Sequence, residues 1–382
     1  MNQLLFQDYS AHSNVRPGVE RTGLYFSRLE GKKLGIVSNQ TSMLGKIHLL
    51  DSLFALGREV VEICKVFGPE HGFRGKGEDA VSIEDGVDPE TGLPVISLYG
   101  QKHKPVAADL AGLDLLLFDI PDVGVRFYTY ISTLFYVMQA CAERDLDLLL
   151  LDRPNPNGFY ADGPVLEPDF SSFEGLHRVP VVYGMTIGEY AQMVNGESWL
   201  GNGLTCKLTI IPCEHYTNHS RYKLPVPPSP NLPTMNAVFL YPSICFFEGT
   251  VISEGRGTDT PFEVFGHPDL PAEEYSFTPE SIPGADSHPK LKGKLCHGKD
   301  LRYLREKAER QQGLDLSWLI NAYQNFPDQD NFFTPFFDKL AGTAQLRQQI
   351  MEGLSEEKIR RSWAADLASF NKIRRKYLIY PE

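Results

Sequence analysis

The sequence predicts an α/β protein: a mostly parallel sheet covered by helices, followed by a smaller α/β region. Two observations carry that prediction. The first half of the chain alternates short apolar, β-rich runs with segments of helical periodicity, as expected where crossover helices return the chain to parallel strands. A proline run, Lys223-Leu-Pro-Val-Pro-Pro-Ser-Pro-Asn-Leu-Pro233, then forbids helix and most ladder pairing. It divides the chain into expected domains at 20–226 and 234–382.

In order, strands are expected at 33–38, 60–67, 95–99, 113–120 and 146–151. Between them, 47–56 spaces Ile47, Leu50, Leu53 and Phe54 as a helix face, and 131–142 does the same with Ile131, Leu134, Phe135 and Met138. A helix should open at Thr186, where Thr186 and Glu189 have the spacing of a capping box. Beyond the proline run, strands are expected at 237–241 and 245–247, an irregular excursion at 265–291, and helices at 301–311, 341–352 and 356–377.

At 382 residues the chain exceeds what one core usually supports. Its 42% hydrophobic and 23% charged residues are those of a globular protein. A net charge of -12 argues against nucleic acid as a partner, since no basic stripe is present to neutralise phosphates. The six cysteines are dispersed, form no Cys-x-x-Cys, and read as reduced core residues. No apolar stretch is long enough to span a bilayer. Residues 1–21 are polar, so a cytoplasmic location is expected for the chain as it stands, or a periplasmic or secreted one if a leader has been removed.

In an open parallel sheet, ligands bind beyond the carboxyl ends of the strands. Four strand ends here lead into polar sequence: Asn39-Gln40-Thr41-Ser42, Gly68 to Gly75, Asp119 to Tyr130, and Asp152 to Pro156. Turn chemistry accounts for much of this. It does not account for Glu70-His71, Arg74, or Arg126-Phe127-Tyr128-Thr129-Tyr130, whose side chains are costly to order near apolar strands without partners or a ligand. In the second region Ser253-Glu254-Gly255-Arg256-Gly257-Thr258 presents an arginine between glycines, and Glu263 follows. A structural Glu254–Arg256 pair is the alternative there.

The first strand is not followed by spaced glycines, and the chain has no Gly-Lys-Ser/Thr phosphate loop, so no nucleotide cofactor is expected. Scattered histidines without helical two-histidine spacing predict no metal, and the absence of Gly-x-Ser-x-Gly leaves serine chemistry without its elbow.

These motifs, together with Ser97-Leu98-Tyr99-Gly100, Leu151 to Pro156, Gly163 to Glu167 and Pro228 to Pro233, resemble the NamZ-type exo-β-N-acetylmuramidases, the YbbC-like proteins. The resemblance covers nearly the whole chain. It implies a Rossmann-like domain with its cleft against a smaller one, and removal of terminal N-acetylmuramic acid from the non-reducing end of peptidoglycan-derived oligosaccharides. A non-catalytic glycan-binding protein would use the same aromatic and arginine inventory.

Glycoside cleavage needs an acid for the leaving oxygen and a second group at the oxocarbenium-like centre. Glu70, with His71 beside it, is the candidate acid, because burial near an aromatic raises a carboxyl pKa. Glu254 is the candidate second catalytic group, with Asp119, Asp122 and Glu263 as rivals and the substrate's own acetamido group as another. The lactyl carboxylate of N-acetylmuramic acid calls for a guanidinium, from Arg74, Arg126 or Arg256. Tyr128 and Tyr130 offer faces and hydroxyls for the sugar, and Asn39 and Asp119 could bind its acetamido or ring hydroxyls.

Overall fold

The computed structural model describes residues 14–70, 72–74, 84–272, 275–304, 308–309 and 313–382. A seven-stranded sheet organises the first half of the chain. Its strands are β1 (Lys33–Ser38), β2 (Glu62–Gly68), β3 (Gly86–Val87), β4 (Pro94–Ser97), β5 (Leu115–Asp119), β6 (Asp147–Leu151) and β7 (Leu208–Ile211). They lie in the order β7-β6-β5-β1-β2-β4-β3, and every pairing is parallel except that of the edge strand β3 with β4. The chain order reverses at β1, which pairs with β5 on one side and β2 on the other. Such a switch point opens a crevice beyond the strands' carboxyl ends.

Both faces are covered, and the alternation of side chains along each strand decides which residue packs where. Leu34, Ile36, Leu115, Leu117, Leu149 and Leu151 pack with Tyr25 and Leu29 of α1 (Thr22–Leu29) and Leu49, Leu50 and Leu53 of α2 (Leu49–Phe54). Following a short α3 (Ala107–Leu110), α4 (Tyr130–Glu143) and α5 (Ile187–Gly196) supply the opposite face. There Val37, Leu116, Phe118, Leu148 and Leu150 meet Leu134, Met138, Tyr190 and Val194. The α5 cap is the reciprocal one expected: Glu189 donates its backbone N–H to Thr186 Oγ1 at 3.2 Å, and Thr186 N–H reaches Glu189 Oε2 at 2.9 Å.

The second half departs from expectation in three places. Residues 237–247 are not strands. They fold as α6 (Met235–Ile244) and a 3-10 turn, Cys245–Gly249. Every residue of α6 is buried, so an apolar stripe is lost in a segment apolar all round, and length and periodicity no longer separate helix from strand. Thr234 caps the helix by accepting from Ala237 N–H at 3.0 Å. Within the excursion at 265–291, β8 (Val264–His267) and β9 (Tyr275–Phe277) both pair antiparallel with β10 (Cys296–Asp300). The expected helix at 356–377 is two, α10 (Glu356–Ser362) and α11 (Ala364–Arg374), after α7 (Ser317–Asn325), α8 (Phe336–Ala341) and α9 (Gln345–Met351). Of the helix expected at 301–311, the described residues include a 3-10 turn, Arg302–Leu304.

One hydrophobic core runs through both halves, joining Phe118, Leu134 and Tyr190 to Val238, Phe246, Leu319, Phe337 and Trp363. All six cysteines are free thiols, five of them buried. No helix of the described residues is long and apolar enough to cross a membrane.

Candidate active site

Beyond the carboxyl ends of β2, β4 and β5 lies a pocket of about 200 Å³. Glu70 enters from the turn after β2, Tyr99 from the end of β4, and Phe127 to Tyr130 from the segment linking β5 to α4. Phe173 and Glu174 come from the loop between the paired strands Asp162–Val165 and Pro180–Val182. The opposite wall belongs to the second half: Ser229, Asn231 and Leu232 of the proline run, Tyr241 of α6, Glu248, Arg256, Phe262, and Phe336 and Leu340 of α8. The proline run is therefore part of the wall as well as a connection.

The wall residues hold one another. Thr129 Oγ1 donates to Glu70 Oε2 at 3.2 Å. Thr129 does so from a left-handed backbone, φ 72°, and Phe262 on the far wall has φ 60°. β-branched and bulky residues adopt that region only when the surroundings enforce it. Tyr128 packs edge-on against Tyr130 and Tyr241, with centroids 4.8 and 5.9 Å away. Arg256 Nη2 donates to Glu248 Oε1 at 2.6 Å, and its Nε lies 3.3 Å from Glu254 Oε1.

Of the residues singled out in the sequence, the pocket brings together Glu70, Tyr128, Tyr130 and Arg256. His71 lies outside the described residues. The others are held elsewhere. Glu254 is 2% exposed behind Arg256, paired with Lys290 Nζ at 2.7 Å, so it supports the wall rather than lining it. Arg74 is gripped by Asp51 and Asp88, each through two hydrogen bonds, which leaves its fork committed to protein carboxylates. Arg126 is fully buried and donates to the carbonyls of Pro164, Val179, Leu340 and Ala341 at 2.8 to 3.0 Å. Burial without a carboxylate partner pushes its pKa down to about 9.

Asp119 forms a bidentate pair with Arg153, both bonds 2.7 Å, at the switch point of the sheet. Asp122 accepts from the Tyr183 hydroxyl and from Gly124 N–H, and burial pushes its pKa up to about 6. Glu263 accepts from Asn236 Nδ2 at 2.7 Å, and burial raises its pKa. Asn39 donates to the Tyr130 hydroxyl at 3.0 Å, one layer beneath the pocket surface. These buried polar residues have protein partners, which is what burial requires of them.

Sequence reasoning did not select Glu248, Glu174, Tyr99 or Tyr241. Glu248 stands five residues before the Ser253–Thr258 motif, in which Glu254, with a glycine beside it, is the more conspicuous carboxylate. No local pattern marks Glu174; only the return of its loop over β5 and α4 brings it to the site.

A pocket of this size, with carboxylates Glu70, Glu174 and Glu248 and a guanidinium set among aromatic rings, defines the class: a hydrolase acting on a sugar, built on an α/β scaffold. The chain belongs to the NamZ exo-β-N-acetylmuramidase family, whose N-terminal model matches residues 34–236 and whose C-terminal model matches 239–380. It is 39% identical over 377 residues to the peptidoglycan β-N-acetylmuramidase NamZ of Bacillus subtilis, covering 93% of this chain and 89% of that one. Two solved structures of DUF1343 family proteins from Bacteroides fragilis share the fold. One has a TM-score of 0.89 at 46% identity and covers 97% of this chain and all of its own. The other has a TM-score of 0.79 at 27% identity, with 96% and 99% covered.

Proposed function

We propose that the chain hydrolyses the glycosidic bond of a terminal, non-reducing β-N-acetylmuramic acid in peptidoglycan fragments. The observation that carries this reading is the pocket: a hollow of about 200 Å³ whose lining includes Glu70 from the sheet half and Glu248 from the second half.

In this reading Glu70 gives its proton to the leaving oxygen as the bond to the anomeric carbon breaks, and the Thr129 hydroxyl orients the carboxyl for that transfer. Glu248 is the second carboxylate, facing the charge that develops at the anomeric carbon. Water supplies the hydroxyl that ends on the released sugar. Arg256, held by Glu248 and backed by Glu254, is the cation for the lactyl carboxylate. Tyr128, Tyr241 and Phe173 provide the faces against which the ring lies.

The test is release of phenolate from para-nitrophenyl β-N-acetylmuramide, set beside the matching N-acetylglucosaminide. Wild type should cleave the muramide with marked preference, and Arg256→Ala should erase that preference. Glu70→Gln should lower kcat at least a hundredfold on a muramyl disaccharide, whose sugar alkoxide needs the proton, and much less on the phenyl glycoside, whose phenolate leaves without one. Equal rates on both glycosides in wild type, or normal turnover of the disaccharide by Glu70→Gln, would overturn the assignment.

A further inference from the structure

A second hollow, about 560 Å³ and so nearly three times the volume of the first, opens beside the candidate active site. The two share their dividing elements. On α8, Phe336 and Leu340 line the first pocket while Asp338 and Lys339 line the second. In the loop between the paired strands, Ser171 and Ser172 face the second and the next residues, Phe173 and Glu174, face the first. Both dividers rest on Arg126, which holds the α8 carbonyls of Leu340 and Ala341 and lies so close to Gly175 that a Cβ there would come within 3.0 Å of its Cδ.

The lining of the second hollow is amphipathic. Phe170 and Phe333 are half-buried and give it an apolar floor. Charges of both signs stand on its rim, with Asp169 and Asp330 against Lys339, all exposed. Arg347 is taken up by Asp338 through bonds of 2.9 Å. A bare muramyl glycan brings such a rim carboxylates but no cation for its aspartates. A short peptide with a free ammonium and a free carboxylate fits it, the ammonium toward the aspartates and the carboxylate toward Lys339, with its alkyl groups on the phenylalanines.

We propose that this hollow is an accessory subsite for the peptide substituent of the leaving glycan, so that the enzyme prefers fragments still carrying peptide beyond the bond it cuts. The inference rests on the hydrolase reading above and takes the leaving glycan to run past the dividing elements that the two hollows share. It places substrate discrimination on residues remote from the bond being broken.

The experiment compares three substrates in the full-length protein: the para-nitrophenyl muramide, a muramyl-terminated trisaccharide, and the same trisaccharide carrying on its reducing-end muramyl group a tripeptide with one free ammonium and one free carboxylate. Wild type should show a KM for the peptide-bearing trisaccharide about tenfold below that for the bare one, the effect of one charge-assisted contact. Asp169→Lys and Lys339→Glu are exposed charge reversals, and each should remove that advantage while leaving kinetics on the phenyl glycoside within twofold of wild type. Equal KM values for the two trisaccharides in wild type, or an advantage that survives both reversals, would overturn the subsite. Failure of wild type on the phenyl glycoside and on both trisaccharides would instead sink the hydrolase reading, and the subsite with it.

Discussion

Thr129 shows how a single residue links strain to function. Its left-handed backbone costs a β-branched residue about 1–2 kcal/mol, yet that conformation turns the chain from the Arg126–Tyr128 turn into α4 and delivers the hydroxyl to Glu70. Glycine would relax the backbone and lose the hydroxyl. Thr129→Gly should therefore raise the unfolding free energy read from a urea titration, by up to about 1 kcal/mol after glycine's own entropy is counted, while lowering kcat. A variant both less stable and fully active would show that the strain serves neither end. Asp122 makes a different prediction. Held at a pKa of about 6 by burial, against an unfolded value near 4, it keeps a proton in the folded chain that the unfolded chain has already released. Its contribution to stability is complete below about pH 4 and is lost as pH rises through about 6, to a limit of about 3 kcal/mol. Asp122→Asn should remove that part of the slope, so the difference in unfolding free energy between variant and wild type should change with pH between 4 and 7. A difference that stays constant across that range would exclude the linkage.

Among the elements, what the sequence made legible follows from how much each depends on its neighbours. The five strands expected in the first half are all present, because a parallel strand buried on both faces is written as a continuous apolar run with turn residues at its ends. β7 is the strand that the expectation omits: an edge strand of four residues, half-buried over Leu208, Thr209 and Ile210, it gives only a short run. The inversion at α6 has the opposite cause, complete burial. Glu70, Tyr128, Tyr130 and Arg256 could be picked from local pattern, since the first three stand in polar sequence that follows a strand and Arg256 follows a glycine, whereas Glu248 and Glu174 reach the pocket only through tertiary packing. Arg126 is the residue whose reading changed most. Its guanidinium joins the carbonyls of Pro164 and Val179, which flank the Glu174 loop, to those of Leu340 and Ala341 at the end of α8. Arg126→Met would leave four buried acceptors without their donor and should lower the unfolding free energy by at least about 3 kcal/mol, measured by denaturant titration. Lysine, a point charge without the planar fork, should restore only part of it. A loss below about 1 kcal/mol would mean that water replaces the guanidinium there.

At the scale of the whole molecule, the apolar interior determines whether the halves can behave separately. The main cluster runs without a break from the face of the sheet under α4 and α5 to Phe246, Phe337 and Trp363, and Arg374 of α11 donates to Gly184 O at 2.7 Å. The C-terminal residues return to the sheet as well. The Tyr380 hydroxyl donates to Asp152 Oδ2 at 2.5 Å, at the carboxyl end of β6, and Glu189 at the head of α5 accepts from Ile379 N–H at 2.8 Å. A pocket whose proposed catalytic pair comes from different halves depends on that continuity, since an opening between the halves would separate Glu70 from Glu248 before either half unfolded. Cooperative domains lose their protected amides together, whereas independent ones lose them in separate steps. Hydrogen exchange followed by mass spectrometry across a urea series should thus show peptides from β1 and β5 reaching full exchange at the same urea concentration as peptides from α6 and α11, with activity lost at that same point. Earlier exchange confined to residues beyond the proline run would show instead that the second half opens alone, and the activity lost at that lower urea concentration would measure how far the site depends on its closure.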